Sequence, residues 1–361
     1  MKLMRKNLTI VVDCRMIDAS GIGVYLRGCL SFFIQSTHNF IFLGNVERLK
    51  EYTVYSNVSL LDCNIKPFSL PELFFPVKLA AQINKADIFY SPFFSIPLRI
   101  KIPVYTTIHD IIFPDMPELI SKAGLAMRMW CYRRAGKKSK KIFTVSEFSK
   151  SRILYHLGTK KQVIVTYTAI LPVFFKYREN ILNVQKTKNI LFIGNIKKHK
   201  GLDTLLEAFY LAKNEGLPHK LLIIGSKENF RTKDKTILKN IDTASNKSVS
   251  FTGPLPDEQL IEYISTAALL VQPSLYEGFC LPPLEALALG TRVLISDIPV
   301  LKEIYSGFPV TYFEAGNTID LKNKMMLLLA QNTPMPVLPD ALLNKYTFKK
   351  TAAIILEETG Q

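Results

Sequence analysis

SLYEGFCLPPLEALALG, at positions 274–290, decides how the chain is read. An extended segment ends at Ser274, a turn follows around Gly278, and Pro282 and Pro283 lead into LEALAL, a run of helix formers. The order is strand, tight loop, helix. Proline is tolerated in a first helical turn because the N–H it lacks would have no partner there, so the pair marks the helix start. Amides and the positive end of the dipole favour a phosphate at such a start, and the flanking Glu277 and Glu285 can accept hydrogen bonds from sugar hydroxyls. Phosphate beside hydroxyls points to a nucleotide sugar.

The same alternation runs outward in both directions. LTIVVD, FIFLGN, ADIFYS, PVYTTIHD, KKIFTVS and QVIVTYT in the first half, and NILFIG, HKLLIIG, SVSFTG, ALLVQPS and TRVLISD in the second, are short apolar runs. Helical patterns such as GVYLRGCLSFF, LDTLLEAFYLAKN and DEQLIEYISTA separate most of them. This predicts an α/β protein with parallel sheets covered on both faces. A chain of 361 residues fits two domains. The period lapses over residues 169–188, which sets the boundary near 180. The two domains are therefore expected over residues 1–180 and 181–345, followed by residues 346–361. The expected architecture is two Rossmann-like, doubly wound domains facing across a cleft, because open parallel sheets bind ligands at the carboxyl ends of their strands.

The glutamate pair with its EGF and LPPLEAL context resembles the signature of family 4 retaining glycosyltransferases, which have the GT-B fold. DCRMIDASGIGVYLR (13–27), TIHDIIFP (107–114), TVSEFSKSRI (144–153) and FIGNIKKHKGLDTLLEAF (192–209) are similar to family segments in the family's order. The resemblance implies that residues 1–180 bind the acceptor and 181–345 the donor, with a C-terminal helix over 346–361 packing back on the first domain. It implies that Glu285 takes the donor's ribose hydroxyls and Glu277 those of the transferred sugar. It implies donor contacts from Gly21, Gly23, Asn195, Gly225, Gly278, Phe279, Cys280 and Leu281, and a place for His109 beside the anomeric carbon. His199-Lys200 stands where the family usually has an Arg-Lys pair on the leaving phosphates, and histidine lacks the guanidinium fork. Cys280 stands where the family often has glycine.

Composition bounds the remaining classes. Five widely spaced cysteines without a Cys-x-x-Cys pair give no zinc or redox framework and fit a reducing cytoplasm. Lys2, Arg5 and Lys6 precede only LTIVV, too short for a signal-peptide core, and no apolar window is long enough to span a bilayer. No Asp-x-Asp triplet occurs, so neither a metal nor another cofactor is expected and basic groups must neutralise the diphosphate. Residues 1–180 hold 26 Lys or Arg against 12 Asp or Glu, whereas 181–361 hold 20 against 18, so the basic excess lies in the first half. Residues 122–141 contain eight basic residues and no acidic ones, with aromatic residues interleaved. Arg128, Arg133, Arg134, Lys137 and Lys138 are therefore expected to form a patch for an anionic membrane on the acceptor side, at the inner face of the plasma membrane.

The expected reaction is metal-independent, retaining hexosyl transfer to a lipid-linked or polysaccharide acceptor in surface-glycan (O-antigen or capsule) assembly. GDP-mannose is the first expectation for the donor, with UDP-glucose or dTDP-rhamnose as alternatives. A basic nucleic-acid-binding protein is the rival from another class, since the isoelectric point is near 9.5, but no recognised nucleic-acid-reading motif appears. A nicotinamide-dependent oxidoreductase fails because Gly21 and Gly23 have no third glycine at the required spacing.

Overall fold

A computed structural model describes residues 7–178, 184–225, 248–331 and 338–360. The chain divides into two units, residues 1–169 with 346–361, and residues 170–345. The division falls at Ala169 and Ile170 rather than near 180, because the helix Pro172–Tyr177 packs against helices of the second unit. Residues 179–183 of the expected linker lie outside the described residues.

The first unit holds seven parallel strands: β1 (Thr9–Asp13), β2 (Asn39–Gly44), β3 (Val58–Asp62), β4 (Ile88–Ser91), β5 (Val104–Thr107), β6 (Ser139–Thr144) and β7 (Val163–Val165). Their order is β3-β2-β1-β4-β5-β6-β7. The second holds β8 (Asn189–Ile193), β9 (Lys220–Ile224), β10 (Val249–Gly253), β11 (Leu269–Gln272), β12 (Arg292–Ser296) and β13 (Thr311–Phe313), in the order β10-β9-β8-β11-β12-β13. Every ladder between these strands is parallel. The central strands read as continuous apolar runs because both of their faces are covered; all four residues of β4, β5 and β11 are buried. Each unit has its own core, one around Val11, Phe89 and Ile142, the other around Phe192, Phe209 and Leu294.

In both sheets the strand order reverses once, between β1 and β4 and between β8 and β11. At such a reversal the connections leave in opposite directions, and the loops at the carboxyl ends part to form a crevice. The loops carrying Asn195 to Lys200 and Ser274 to Leu281 are the two that follow β8 and β11.

The C-terminal helix Phe348–Thr359 belongs to the first unit and packs against Ser20–Phe33. Gly28 makes the approach possible, since a Cβ there would stand 2.3 Å from the Phe348 ring. Thr351 Oγ1 donates to Thr166 O at 2.9 Å, and Lys141 pairs with Glu358 at 2.5 Å. Gly28→Ala is expected to cost about 1–3 kcal/mol by overpacking. The measurable result is a lowered melting temperature together with faster amide exchange confined to Phe348–Thr359; unchanged exchange there would disprove the packing argument.

Candidate functional site

The loop after β8 runs through Asn195 into a short 3-10 turn, Lys198–Lys200, and ends at Gly201 with φ +65°. A Cβ on Gly201 would lie 2.0 Å from Pro273 O in the loop after β11, so the two loops touch backbone to backbone. Leu275 N donates to His199 O at 2.7 Å and fastens them together. This contact brings Lys200 Nζ to 2.7 Å from Glu277 Oε1, with the Lys200 side chain 19% and the Glu277 side chain 8% exposed. Ser274 Oγ donates to the same Oε1 at 2.7 Å. Burial by itself would raise the Glu277 carboxyl, but the Lys200 ammonium and the Ser274 hydroxyl hold it below the usual carboxylate range. Glu277 is therefore an anion in a nearly dry setting.

His199 does not share that charge. Burial and the neighbouring Lys200 push its imidazole down to about 4, and its Nδ1 is buried without a hydrogen-bond partner. It is neutral near pH 7, so Lys200 with the exposed Lys197 and Lys198 supplies the positive charge of the loop.

The helix Pro282–Ala288 starts at the proline pair and carries Glu285 in its first turn. Glu285 is 7% exposed, and burial, followed by the nearby Asp257, pushes it up to about 8. As a neutral acid it can donate one hydrogen bond and accept others. Gly278, Phe279 and Cys280 are buried and Leu281 half-buried, so this loop packs into its own unit. Cys280 has φ +75°, the left-handed region that glycine enters without penalty. Tyr305 donates its hydroxyl to Cys280 O, and the thiol lies beside Glu277. Gly225 is held to glycine by packing, since a Cβ there would stand 2.1 Å from Gly194 O.

In the first unit, Gly21 and Gly23 open the helix Ser20–Phe33. Gly23 is confined, since a Cβ there would stand 2.4 Å from Ile17 O, whereas Gly21 is exposed and a Cβ on it would meet nothing within 4 Å. His109 follows β5, and its ring meets Tyr25 edge-on at 4.8 Å. Its Nε2 lies 2.9 Å from Pro92 O, an atom that only accepts, so Nε2 carries the proton. Burial pushes the imidazole down to about 4 against the opposing Pro92 bond. Neutral His109 therefore presents a bare Nδ1, which is an acceptor.

The basic patch divides. Arg128 lies over the rings of Phe113 at 4.4 Å and Phe68 at 5.2 Å, and Arg134 donates to Ile96 O and Pro97 O at 3.0 and 3.1 Å. These two brace the fold; Arg133, Lys137 and Lys138 are the exposed members. Among the described residues no helix is long and apolar enough to cross a membrane, and no group of three His, Cys, Asp or Glu could hold a metal ion.

Sequence reasoning missed a buried network at the reversal of the first sheet. Arg15 Nη2 bonds Asp13 Oδ2 at 2.6 Å and Glu72 Oε1 at 2.7 Å, with all three side chains at most 2% exposed. Glu72 Oε2 accepts from Phe68 N at 2.6 Å and Ser95 Oγ at 2.7 Å. Asp13 and Arg15 stand together in DCR, but nothing in the sequence marks Glu72 as their partner.

Residues 173–337 match the family model described as glycosyl transferases group 1. This stretch belongs to the group 1 glycosyl transferases. An O-antigen chain mannosyltransferase B of Escherichia coli is 29% identical over 239 residues, 62% of this chain and 61% of that protein. The O-antigen chain mannosyltransferase RfbU of Salmonella typhimurium is 27% identical over 203 residues, 55% of this chain and 53% of that protein. The matched region thus spans between about half and three fifths of these relatives. Anabaena HepE, solved in complex with UDP-glucose, superposes with a TM-score of 0.72 at 15% identity over 98% of this chain and 100% of that one. A glycosyltransferase from Rickettsia africae gives 0.69 at 17% identity, over 98% and 97%. The chain shares the fold of these two proteins.

An acid whose native pKa lies above its unfolded value of about 4.3 stabilises the fold below that pH, and the contribution is lost as pH rises toward the native value. For Glu285 the loss runs up to about pH 8. Glu285→Gln should melt with wild type near pH 5 and several degrees above it at pH 9, in calorimetry across that range. A constant difference would mean that Glu285 ionises as an exposed carboxyl does.

Proposed function

We propose that the protein is a retaining, metal-independent hexosyltransferase that moves a hexose from a nucleotide sugar to a lipid-linked or polysaccharide acceptor in surface-glycan assembly. The observation that carries this reading is the 2.7 Å Lys200–Glu277 pair at the reversal of the second sheet. Lys200 is assigned to the diphosphate and Glu277 to hydroxyls of the transferred sugar, while Glu285 takes the ribose. His109 is assigned as an acceptor for a substrate hydroxyl. No protein group is asked to act as nucleophile: the departing phosphate oxygen takes the acceptor's proton while both substrates are held in place. Lys200 supplies the charge stabilisation for which other transferases use a divalent cation.

Among donors we favour GDP-mannose, because both bacterial relatives carry mannosyltransferase names. UDP-glucose is the alternative, supported by the sugar nucleotide in the HepE structure. Calorimetry with GDP, UDP and dTDP, followed by transfer from their sugar conjugates with and without EDTA, decides the matter. The expected result is binding of one nucleotide and EDTA-insensitive transfer; no binding, or transfer abolished by EDTA, overturns the reading. A diphosphate competes with Glu277 for Lys200 Nζ, so Glu277→Gln should bind the preferred diphosphate more tightly than wild type. The same variant should lose about 10²-fold or more in transfer, the scale of losing one oriented polar contact.

We also propose peripheral attachment to an anionic membrane through the first unit. Arg133, Lys137 and Lys138 stand exposed beside Trp130 and Met127, which are 43% and 47% exposed. Arg134 and Arg99 hold the neighbouring loop by its carbonyls and by those of Phe74 and Phe75, which continues the surface to Leu70, Phe74 and Val77, each more than half exposed. Cations near such a surface contribute about 1 kcal/mol each, and apolar side chains enter the interface. Sedimentation with phosphatidylglycerol vesicles should capture the protein and phosphatidylcholine vesicles should not. Reversing Lys137 and Lys138 to Glu should release it, and retention by that variant would remove the attachment from this face.

A further inference from the structure

Gln272 ends β11 and is 1% exposed. Its Nε2 donates to Ser274 Oγ at 3.1 Å. A hydroxyl that accepts from an amide has its own proton left to give, and Ser274 gives it to Glu277 Oε1 at 2.7 Å. The main chain of Ser274 is fixed as well, since Ser296 at the end of β12 donates its hydroxyl to Ser274 O. Three side chains from one loop and the strand beneath it thus form a one-way chain, amide to hydroxyl to carboxylate. It ends on the same oxygen that Lys200 reaches from the other loop.

Other groups face this carboxylate too. His199 lies on the Lys200 loop, the Cys280 thiol follows on its own loop, and Tyr305 approaches from the helix Pro299–Tyr305. Of these, the Cys280 thiol is within hydrogen-bonding reach of the Glu277 carboxylate, and a thiol is a weaker donor than the Ser274 hydroxyl. The Lys200 ammonium can rotate and can be drawn to a phosphate, whereas the Ser274 hydroxyl is held by a buried amide and cannot leave. When a diphosphate competes for Lys200, Ser274 is the donor that stays.

We infer that Gln272 and Ser274 are positioning residues: they lock Glu277 Oε1 in place through the catalytic cycle, so that the other carboxylate oxygen is aimed at a hydroxyl of the transferred sugar. This rests on the assignment of Glu277 to the sugar. Ser274→Ala removes the lock while Lys200 remains. Its expected signature is about a tenfold loss of kcat with KM for the donor changed less than threefold, on the scale of one hydrogen bond to a charged group. The acid limb of the kcat–pH profile should move to higher pH, because the anion has lost a donor. Ser274→Thr, which keeps the hydroxyl, should restore both. Gln272→Leu, which leaves Ser274 free to turn away, should move the limb in the same direction by less, and it carries the test if Ser274→Ala does not fold.

An unmoved acid limb in Ser274→Ala or Gln272→Leu, or a Ser274→Thr variant as impaired as the alanine, overturns the inference. A wild-type protein that transfers no sugar overturns the hexosyltransferase reading instead. The carboxyl titration of Glu277 by carbon-13 NMR then still reports on the lock, which stands if Ser274→Ala raises it and falls if it does not.

Discussion

Glu277 is a carboxylate taken almost entirely out of water, and the second unit is arranged around keeping it charged. A buried anion persists only with a cation and further donors in good geometry. Lys200 and Ser274 meet that demand, but only because the loops after β8 and β11 are fused by Gly201 against Pro273 and by the Leu275–His199 bond. Those loops are adjacent because the strand order reverses between β8 and β11. Sheet topology, loop contact and ionised carboxylate form one dependent series, and loss of an early member removes the later ones.

The two sheets use the same reversal differently. In the second unit it displays a half-buried lysine beside a carboxylate. In the first it is plugged by Arg15 with Asp13 and Glu72, and the arginine lies against Phe75 and Phe93 at 4.9 and 5.7 Å. An arginine buried between two carboxylates and two rings, with its Nε and Nη2 donors already engaged, offers no free fork to a diphosphate. The plug instead fixes the Phe68 segment through Glu72, and Phe68 sits at φ +61° with its amide on that carboxylate. A tight polar network is spent there on holding a surface segment in shape.

The central strands were legible because both of their faces are buried, which leaves no polar alternation in β1, β4, β8 or β11. The edge strands β3 and β13 were not read as strands. VSLLD has no fully buried residue and TYF has one in three positions, so each lacks the apolar signal that a doubly covered strand carries. The proline pair located the helix start correctly. The protonation of Glu285, the neutrality of His199 and the bracing roles of Arg128 and Arg134 could not be read, because each depends on what surrounds the side chain after folding. Residue type announces a charge; only burial and partners decide whether it is available.

The return of the chain to its first unit bears on how the protein is made. The second unit is one continuous stretch, residues 170–345, whereas the first needs residues from both ends. During synthesis the amino-terminal sheet emerges first but lacks Phe348–Thr359, the helix that fills the space over Gly28. The later stretch can close its own core as soon as it leaves the ribosome, since domains generally fold as units. The unit that starts to be translated first is therefore completed only after residues 170–345 have been made, and until then its helix Ser20–Phe33 lacks the cover of Phe348–Thr359.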